Sequence, residues 1–170
     1  DWNASDTTVY YSVEAAHQAN NHVHVYTLGD NSTNELGWTQ VFELVGGAYV
    51  ECPDATASSC DVAKARVTIN NWAHNNVCVI PPGQGPPCEH LWDSASQRQG
   101  TAVHELGHVI SLAHEWQSCA QGDNPPSVMS YNCINPVEWY DGWAINQVRS
   151  WDECGVNHAY LDPNRTNHGC

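Results

Sequence analysis

The residues with the clearest chemical potential are His104, Glu105 and His108, in the second half of the chain. The two histidines are four residues apart, so on an α-helix they project from one face, one turn apart. Two neutral imidazoles at that spacing suit zinc, which binds nitrogen at about 2.0–2.1 Å. Glu105 would then lie beside the ion, placed to hold a water molecule and take its proton rather than to ligate. This pattern predicts a site for metal-assisted hydrolysis.

The helix that carries these residues needs apolar surroundings to fix it in place. Its flanking side chains supply them, since most of the neighbours are aliphatic: Val103, Leu106, Val109, Ile110 and Leu112. We therefore expect a helix within residues 101–114 that buries these aliphatic side chains and carries the two histidines. The pentapeptide by itself also allows an alternative, in which both histidines and the glutamate are hydrogen-bonded side chains without a metal.

Two further features follow the pentapeptide in the chain. His114 lies six residues after His108, and the sequence Ser-Val-Met-Ser-Tyr occupies residues 127–131. Together with the pentapeptide, they resemble the metzincin metalloproteases, whose pattern is H-E-x-x-H-x-x-G-x-x-H followed by a Met-turn. The Met-turn sequence around Met129 is most similar to that of the serralysin and astacin branches. The resemblance covers residues 104–131.

The resemblance implies a role for each matching residue. His104, His108 and His114 would bind one catalytic zinc ion, and Met129 would form an apolar floor beneath them without ligating. Two roles stay open for Tyr131: by the resemblance it would ligate the resting zinc and move to stabilise the oxyanion, and otherwise it would be a buried aromatic with a hydrogen-bonded hydroxyl. The implied fold is α+β: a mixed, mostly parallel twisted sheet backed by helices, an active-site helix, and an irregular C-terminal subdomain with a C-terminal helix.

One position departs from the family pattern, because Ser111 stands where the family has glycine. Six helical residues advance by about 600°, so a continued helix would point His114 away from the ion. The chain must therefore leave the helix near Ser111, where a serine at positive φ would cost about 1–2 kcal/mol. The rival third ligand is Asp123, since zinc accepts carboxylate oxygen as well as nitrogen.

The rest of the sequence predicts the strands and helices that would support this site. Short β-prone runs predict strands at residues 8–13, 22–26, 48–52, 65–70 and 77–80. Residues 35–45 are expected to form a helix that backs the sheet and ends at Gly46-Gly47. A C-terminal helix is expected over residues 141–153. The 170 residues match a single catalytic domain, with an N-terminal subdomain of about 1–114 and a C-terminal one of about 115–170 by analogy with the family.

Cysteine content and charge restrict the class of protein. Eight cysteines are rare in cytosolic chains and predict a disulfide-rich, secreted protein. Proximity suggests the pairs 52–60, 78–88, 119–133 and 154–170. A chain that begins at Asp1 is interpreted as mature, with its signal peptide removed. Glycosylation sequons at Asn3, Asn31 and Asn164 agree with secretion.

The formal net charge of −14, with only five lysines and arginines, argues against nucleic-acid and anionic-membrane partners. The expected partner is a protein or peptide substrate, bound by a monomer. Calcium has no matching loop, although Asp30, Asn34 and Glu35 are close in sequence.

The sequence thus predicts a secreted zinc endopeptidase with Glu105 as general base. Two alternatives stay open. One is a non-catalytic zinc-containing binding module on a protease-like fold, and the other is a zinc hydrolase that uses Asp123 as its third ligand.

Overall fold

The computed structural model describes residues 22–53, 60–77, 93–110, 112–114, 128–129, 148, 152–153 and 155–156. Within them, the chain forms a four-stranded sheet and two helices, so the predicted α+β class is confirmed. The strands are β1 (Val23–Leu28), β2 (Gly37–Val45), β3 (Ala48–Glu51) and β4 (Lys64–Asn70). The helices are α1 (Asn71–Asn76) and α2 (Ala95–Val109).

The sheet has the order β1-β4-β2-β3, with β4 in its interior. β1 pairs with β4 in parallel, whereas β2 is antiparallel to both β4 and β3. The sheet is therefore mixed, as predicted. The prediction that it is mostly parallel is wrong for the described residues, where two of the three strand pairings are antiparallel. The reason is β2, which is antiparallel to both of its neighbours, β3 and β4.

The helix predicted over residues 35–45 is wrong, because Gly37–Val45 forms strand β2. Gly46 and Gly47 do not end a helix; both have positive φ, 59° and 89°, and form the two-residue turn between β2 and β3. Positive φ at both central residues is the requirement of a type I′ hairpin turn, which glycine meets without a Cβ clash. The β-branched and aromatic residues before the turn pair with β4, and this tertiary pairing overrides their helix-like spacing.

Most of the other strand predictions are confirmed. β1, β3 and β4 occupy the runs predicted at 22–26, 48–52 and 65–70, to within two residues at their ends. The strand predicted at 8–13 lies outside the described residues, as does that at 77–80 apart from Val77. Helix α1 was not anticipated; it begins at the N-cap Asn70, whose side-chain oxygen accepts hydrogen bonds from the backbone N–H groups of Trp72 and Ala73.

Helix α2 is fixed at its beginning by a capping box. The hydroxyl of Ser94 accepts from the Gln97 backbone N–H at 3.2 Å, and the Gln97 side chain accepts from the Ser94 N–H at 3.1 Å. These two bonds satisfy N–H groups that lack an intrahelical partner. One turn in, the Arg98 guanidinium donates to the Asn75 side chain of α1 at 2.6 Å, which ties the two helices together.

Two apolar clusters lie on different sides of α2. The first, here called the sheet core, comprises Val41, Cys52, Ala65, Val67, Ile69 and Val109. The second, here called the loop core, comprises Val103, Ile110, Leu112, Val128, Met129 and Val156. Leu106 packs against both clusters. Helix α2 is thus held by the sheet on one side and by segments from the C-terminal part of the chain on the other.

The predicted disulfide between Cys52 and Cys60 is present, with a Cα–Cα distance of 6.2 Å. It closes the loop between β3 and β4. The other three pairings that proximity suggested lie outside the described residues. Neither described helix is long and apolar enough to cross a membrane.

The C-terminal helix predicted over 141–153 is described only in part. Asp152, Glu153, Gly155 and Val156 are helical, while the remaining residues of that stretch, Val148 apart, lie outside the described part. Gly155 permits close packing here, since a Cβ at this position would lie 3.2 Å from a methyl group of Leu112. The loop core therefore joins this helical segment to the chain that follows α2.

Candidate metal centre

Three imidazoles meet at the C-terminal half of α2. The Nε2 atom of His114 lies 3.1 Å from Nε2 of His104 and 3.1 Å from Nε2 of His108. His108 is buried and the other two histidines are half-buried. Nitrogens bound to one tetrahedral zinc ion at about 2.0–2.1 Å stand about 3.3–3.4 Å apart, close to the distances found here.

Backbone carbonyls hold two of the three rings in a defined tautomer. Nδ1 of His104 lies 2.7 Å from the carbonyl oxygen of Val128, and Nδ1 of His108 lies 2.8 Å from that of Leu112. A carbonyl oxygen only accepts, so each Nδ1 must carry the proton and donate it. The Nε2 atoms of both rings are then unprotonated and present lone pairs to the centre of the cluster. Such carbonyl partners are typical of metal-binding histidines.

Hydrogen bonds alone do not account for this cluster. Two of the Nε2 atoms are acceptors, and one proton on the Nε2 of His114 could not point straight at both of them. Extra protonation of the His104 ring is also disfavoured, because burial and, to a lesser degree, the adjacent His108 lower its pKa to about 4. A cation among the three nitrogens would accept all three lone pairs. The donor set therefore fits a metal ion, and the side chains are close enough to hold one.

The end of α2 explains how His114 reaches the other two rings. The C-cap is Ile110, with φ −97° and ψ 25°, and its N–H donates to the carbonyls of Gly107 and His108. The N–H of Leu112 then donates back to the Gly107 carbonyl at 3.1 Å. This 6→1 bond belongs to the Schellman type of helix ending, after which the chain reverses direction. The predicted exit from the helix before His114 is therefore confirmed, whereas Ser111 itself lies outside the described residues.

The segment with Met129 is held against α2 by its backbone. The Val128 carbonyl accepts from His104, and the Val128 N–H donates to the Asp152 carboxylate at 3.1 Å. Asp152 is only 2% exposed and belongs to the C-terminal helical segment. Met129 is buried in the loop core, and its place beneath the three histidines stays a prediction. The orientation of His104 thus depends on a chain of contacts from Asp152 through Val128.

Glu105 faces away from this support and toward the sheet. Its carboxylate oxygen Oε2 lies 2.7 Å from the Thr39 hydroxyl of β2, and its backbone carbonyl lies 2.9 Å from the same hydroxyl. The residue is 5% exposed. Burial raises its pKa to about 7, although the Thr39 hydrogen bond opposes this shift. A buried carboxyl group whose pKa is raised in this way is a candidate for proton exchange.

Gly37 lets α2 approach β2 closely. A Cβ built there would lie 2.7 Å from the Thr101 side-chain methyl, 2.9 Å from the Thr68 carbonyl oxygen and 3.1 Å from Cγ of Glu105. Real Cβ atoms essentially never come within 3.0 Å of a neighbour, so a larger residue at position 37 would require β2 or its neighbours to shift. Gly37 and Thr39 together determine the space that Glu105 occupies.

Several predicted residues cannot be placed. Tyr131 and the rival ligand Asp123 lie outside the described residues. Asp30, considered for calcium, uses its carboxylate to accept from the N–H and hydroxyl of Ser32, at 2.8 and 2.6 Å. This is the ordinary local bonding of a turn, and it gives no support to a calcium site.

Three supporting residues were missed from the sequence: Gly37, Thr39 and Asp152. Each contacts the site from far along the chain, and the Thr39–Glu105 pair is separated by 66 residues. Only the pattern Gly-x-Thr-x-Val in β2, with glycine, threonine and valine on one face, carried a signal. The helix predicted over residues 35–45 conceals this pattern, because a helix does not place these three residues on one face.

Comparisons of this chain with protein-family models, with curated proteins and with solved structures found no match. The function of the candidate metal centre is therefore inferred from the positions of its own side chains.

Proposed function

We propose that this protein is a secreted zinc-dependent endopeptidase of metzincin type. The observation that carries the proposal is the convergence of three imidazole nitrogens at helix α2, which also carries the buried Glu105. The metzincin assignment depends on the sequence resemblance over residues 104–131, and secretion is supported by the disulfide between Cys52 and Cys60.

Zinc is the metal that fits this donor set best. Three neutral imidazoles without a thiolate or a described carboxylate favour a borderline metal such as zinc over calcium or magnesium, which prefer oxygen ligands. His104, His108 and His114 would hold the ion through their Nε2 atoms. When bound, zinc supplies Lewis acidity that polarises the scissile carbonyl and lowers the pKa of water toward 7.

Among the described residues, the candidate ligands number three, as in catalytic zinc sites. Within the part of the chain that the structure describes, no fourth histidine, cysteine or carboxylate joins the three histidines. Structural zinc sites are closed by four protein ligands, whereas catalytic sites have three and leave a position for water or substrate. The three-histidine set therefore supports a hydrolytic enzyme.

Glu105 would perform the proton transfers. In its ionised form it accepts a proton from the attacking water, so that hydroxide adds to the peptide carbonyl. The protonated Glu105 then passes this proton to the leaving amine as the C–N bond breaks. Because the Glu105 carboxylate is buried, water screens it little, and its electrostatic interaction with the charges that develop during the reaction is stronger. Tyr131 stays a prediction as an additional oxyanion donor.

The decisive experiment combines metal analysis with digestion of a peptide library. The expected result is about one zinc per chain and internal peptide cleavage that a chelator abolishes and added zinc restores. Stoichiometric zinc without any cleavage would contradict the enzyme proposal and favour the non-catalytic binding module. Cleavage that survives complete removal of the metal would contradict the zinc mechanism.

A further inference from the structure

The helix α2 and the strand β2 run side by side with matched spacing. Two residues of a strand advance about 6.6 Å, and four residues of a helix advance about 6.0 Å. Gly37 faces Thr101, Thr39 faces Glu105, and Val41 shares the sheet core with Val109. Each advance of two residues along β2 thus corresponds to an advance of four residues along α2. The middle one of these three pairs brings Thr39 to Glu105.

The Thr39 hydroxyl bonds both ends of Glu105. It shares its one proton between the carboxylate Oε2 at 2.7 Å and the backbone carbonyl at 2.9 Å. These contacts limit rotation of the side chain relative to the helix backbone. Gly37 adds a steric limit, because the glutamate Cγ occupies the space beside it that a Cβ would need. Both constraints come from β2, whereas the supports of His104 and His108 come from the loop core.

We propose that Thr39 is a positioning residue for catalysis, which holds the Glu105 carboxylate in the orientation required for proton transfer. This inference rests on the proposed endopeptidase function. Thr39 itself exchanges no proton with the substrate. Its contribution is to reduce the number of orientations that Glu105 samples, so it affects the chemical step rather than metal or substrate binding.

The test compares Thr39→Val, which removes the hydroxyl but keeps the shape, with Thr39→Ser, which keeps the hydroxyl. Thr39→Val should lower kcat by about 10–100-fold, the usual effect of losing an outer hydrogen-bond partner. KM and zinc content should stay within about twofold of the wild type, because neither a substrate contact nor a ligand is altered. Thr39→Ser should recover most of kcat. A merely structural role for Thr39 would not give this separation of kcat from KM.

Thr68→Val provides a matched control on the neighbouring strand. Thr68 is opposite Trp38 in the β2–β4 register, and its buried hydroxyl has no hydrogen-bond partner within the described part of the chain. The same chemical change there should leave kcat unaltered. Comparison of kcat for Thr39→Val and Thr68→Val thus distinguishes loss of the Glu105 contact from a general effect of placing valine in the sheet.

A double-mutant cycle gives a second readout, independent of activity. In the metal-free protein, the melting-temperature changes of Thr39→Val and Glu105→Ala should be non-additive, because each change removes the contact between the two side chains. In kinetics, Thr39→Val should cause no further loss in the Glu105→Gln background.

The outcomes separate the two proposals. An active wild type whose Thr39→Val variant keeps more than half of kcat would overturn the positioning role and leave the endopeptidase proposal standing. A fall in kcat that Thr39→Ser does not rescue would also overturn it. A zinc-loaded wild type without peptidase activity would overturn the proposed function and with it the positioning role, whatever contact the unfolding cycle reports.

Discussion

The two chemical parts of the candidate site are supported by different regions of the molecule. Glu105 is positioned by β2, through Gly37 and Thr39. His104 and His108 are oriented by backbone carbonyls of Val128 and Leu112, which belong to the loop core. The sheet side is a continuous hydrogen-bonded structure, whereas the loop side is assembled from separate segments. If the proposed function is correct, we expect that proton transfer by Glu105 and metal binding by the histidines can be disturbed independently.

The largest expected effect is on the sheet side, at the glutamate itself. Glu105→Gln keeps the side-chain size but removes the ability to accept a proton, so kcat should fall by about 10²–10⁴-fold. Zinc content should not change, since the three histidines are untouched. The measurement is single-substrate kinetics together with metal analysis. If this variant kept more than about a tenth of the wild-type activity, the general-base assignment would be wrong.

His114→Ala is the corresponding change on the loop side, and it should act through the metal. Removal of one of three ligands should weaken zinc binding by more than the 10–100-fold typical of outer-shell partners. Asp123→Ala is the matched variant, and it should leave zinc in place. Competition titrations with a chromophoric chelator measure both affinities. Release of zinc by Asp123→Ala but not by His114→Ala would reverse the ligand assignment.

Asp152→Asn should produce a smaller effect of the same kind. The change removes the charge that accepts from the Val128 N–H, and Val128 orients His104. Zinc affinity should fall by about tenfold, at the low end for residues that act through a ligand. Asp93→Asn, at an exposed carboxylate before α2, is the control and should bind zinc normally. Equal affinities for both variants would show that the loop side does not depend on Asp152.

Asn70→Ala should change stability without changing the affinity of the folded protein for zinc. The Asn70 side chain is fully buried and donates to the carbonyls of Asp30 and Glu35, at 2.9 and 3.1 Å. It also caps α1. Loss of these bonds should lower the free energy of unfolding by about 2–4 kcal/mol.

Urea unfolding of the metal-free Asn70→Ala protein measures this effect. Asn76→Ala is the control, because that exposed side chain bonds only one carbonyl in the part of the chain described, that of Trp72. It should cost no more than about 0.5 kcal/mol. A large loss of zinc affinity in folded Asn70→Ala would contradict the independence of the two regions.

The sequence predicts the convergence of the three histidines better than it predicts the sheet. The spacing of His104, His108 and His114 is a local property, since it depends on helix geometry and one chain reversal. Their convergence is confirmed. β1 and β4 were also recognised, because their short apolar runs agree with their strand environment.

The error at β2 has a physical cause. In this stretch, Val41, Phe42 and Val45 fit a helical face, while Thr39, Val41 and Glu43 fit one face of a strand. Local pattern does not decide between these, and the deciding interaction is pairing with β4, far along the chain. The same error concealed Thr39 and Gly37, because supports from a strand are invisible when the strand is interpreted as a helix.

The matched stepping of β2 along α2 has a consequence for how the chain tolerates length changes. Side chains alternate between the two faces of a strand, so one inserted or deleted residue between Gly37 and Thr39 would exchange the faces. Trp38 or Gln40 would then be directed at the helix in place of the threonine. Related proteins with this site should therefore accumulate insertions in the loops around β2 but keep the Gly-x-Thr spacing without gaps. An alignment of active relatives with frequent gaps in this spacing would contradict that expectation.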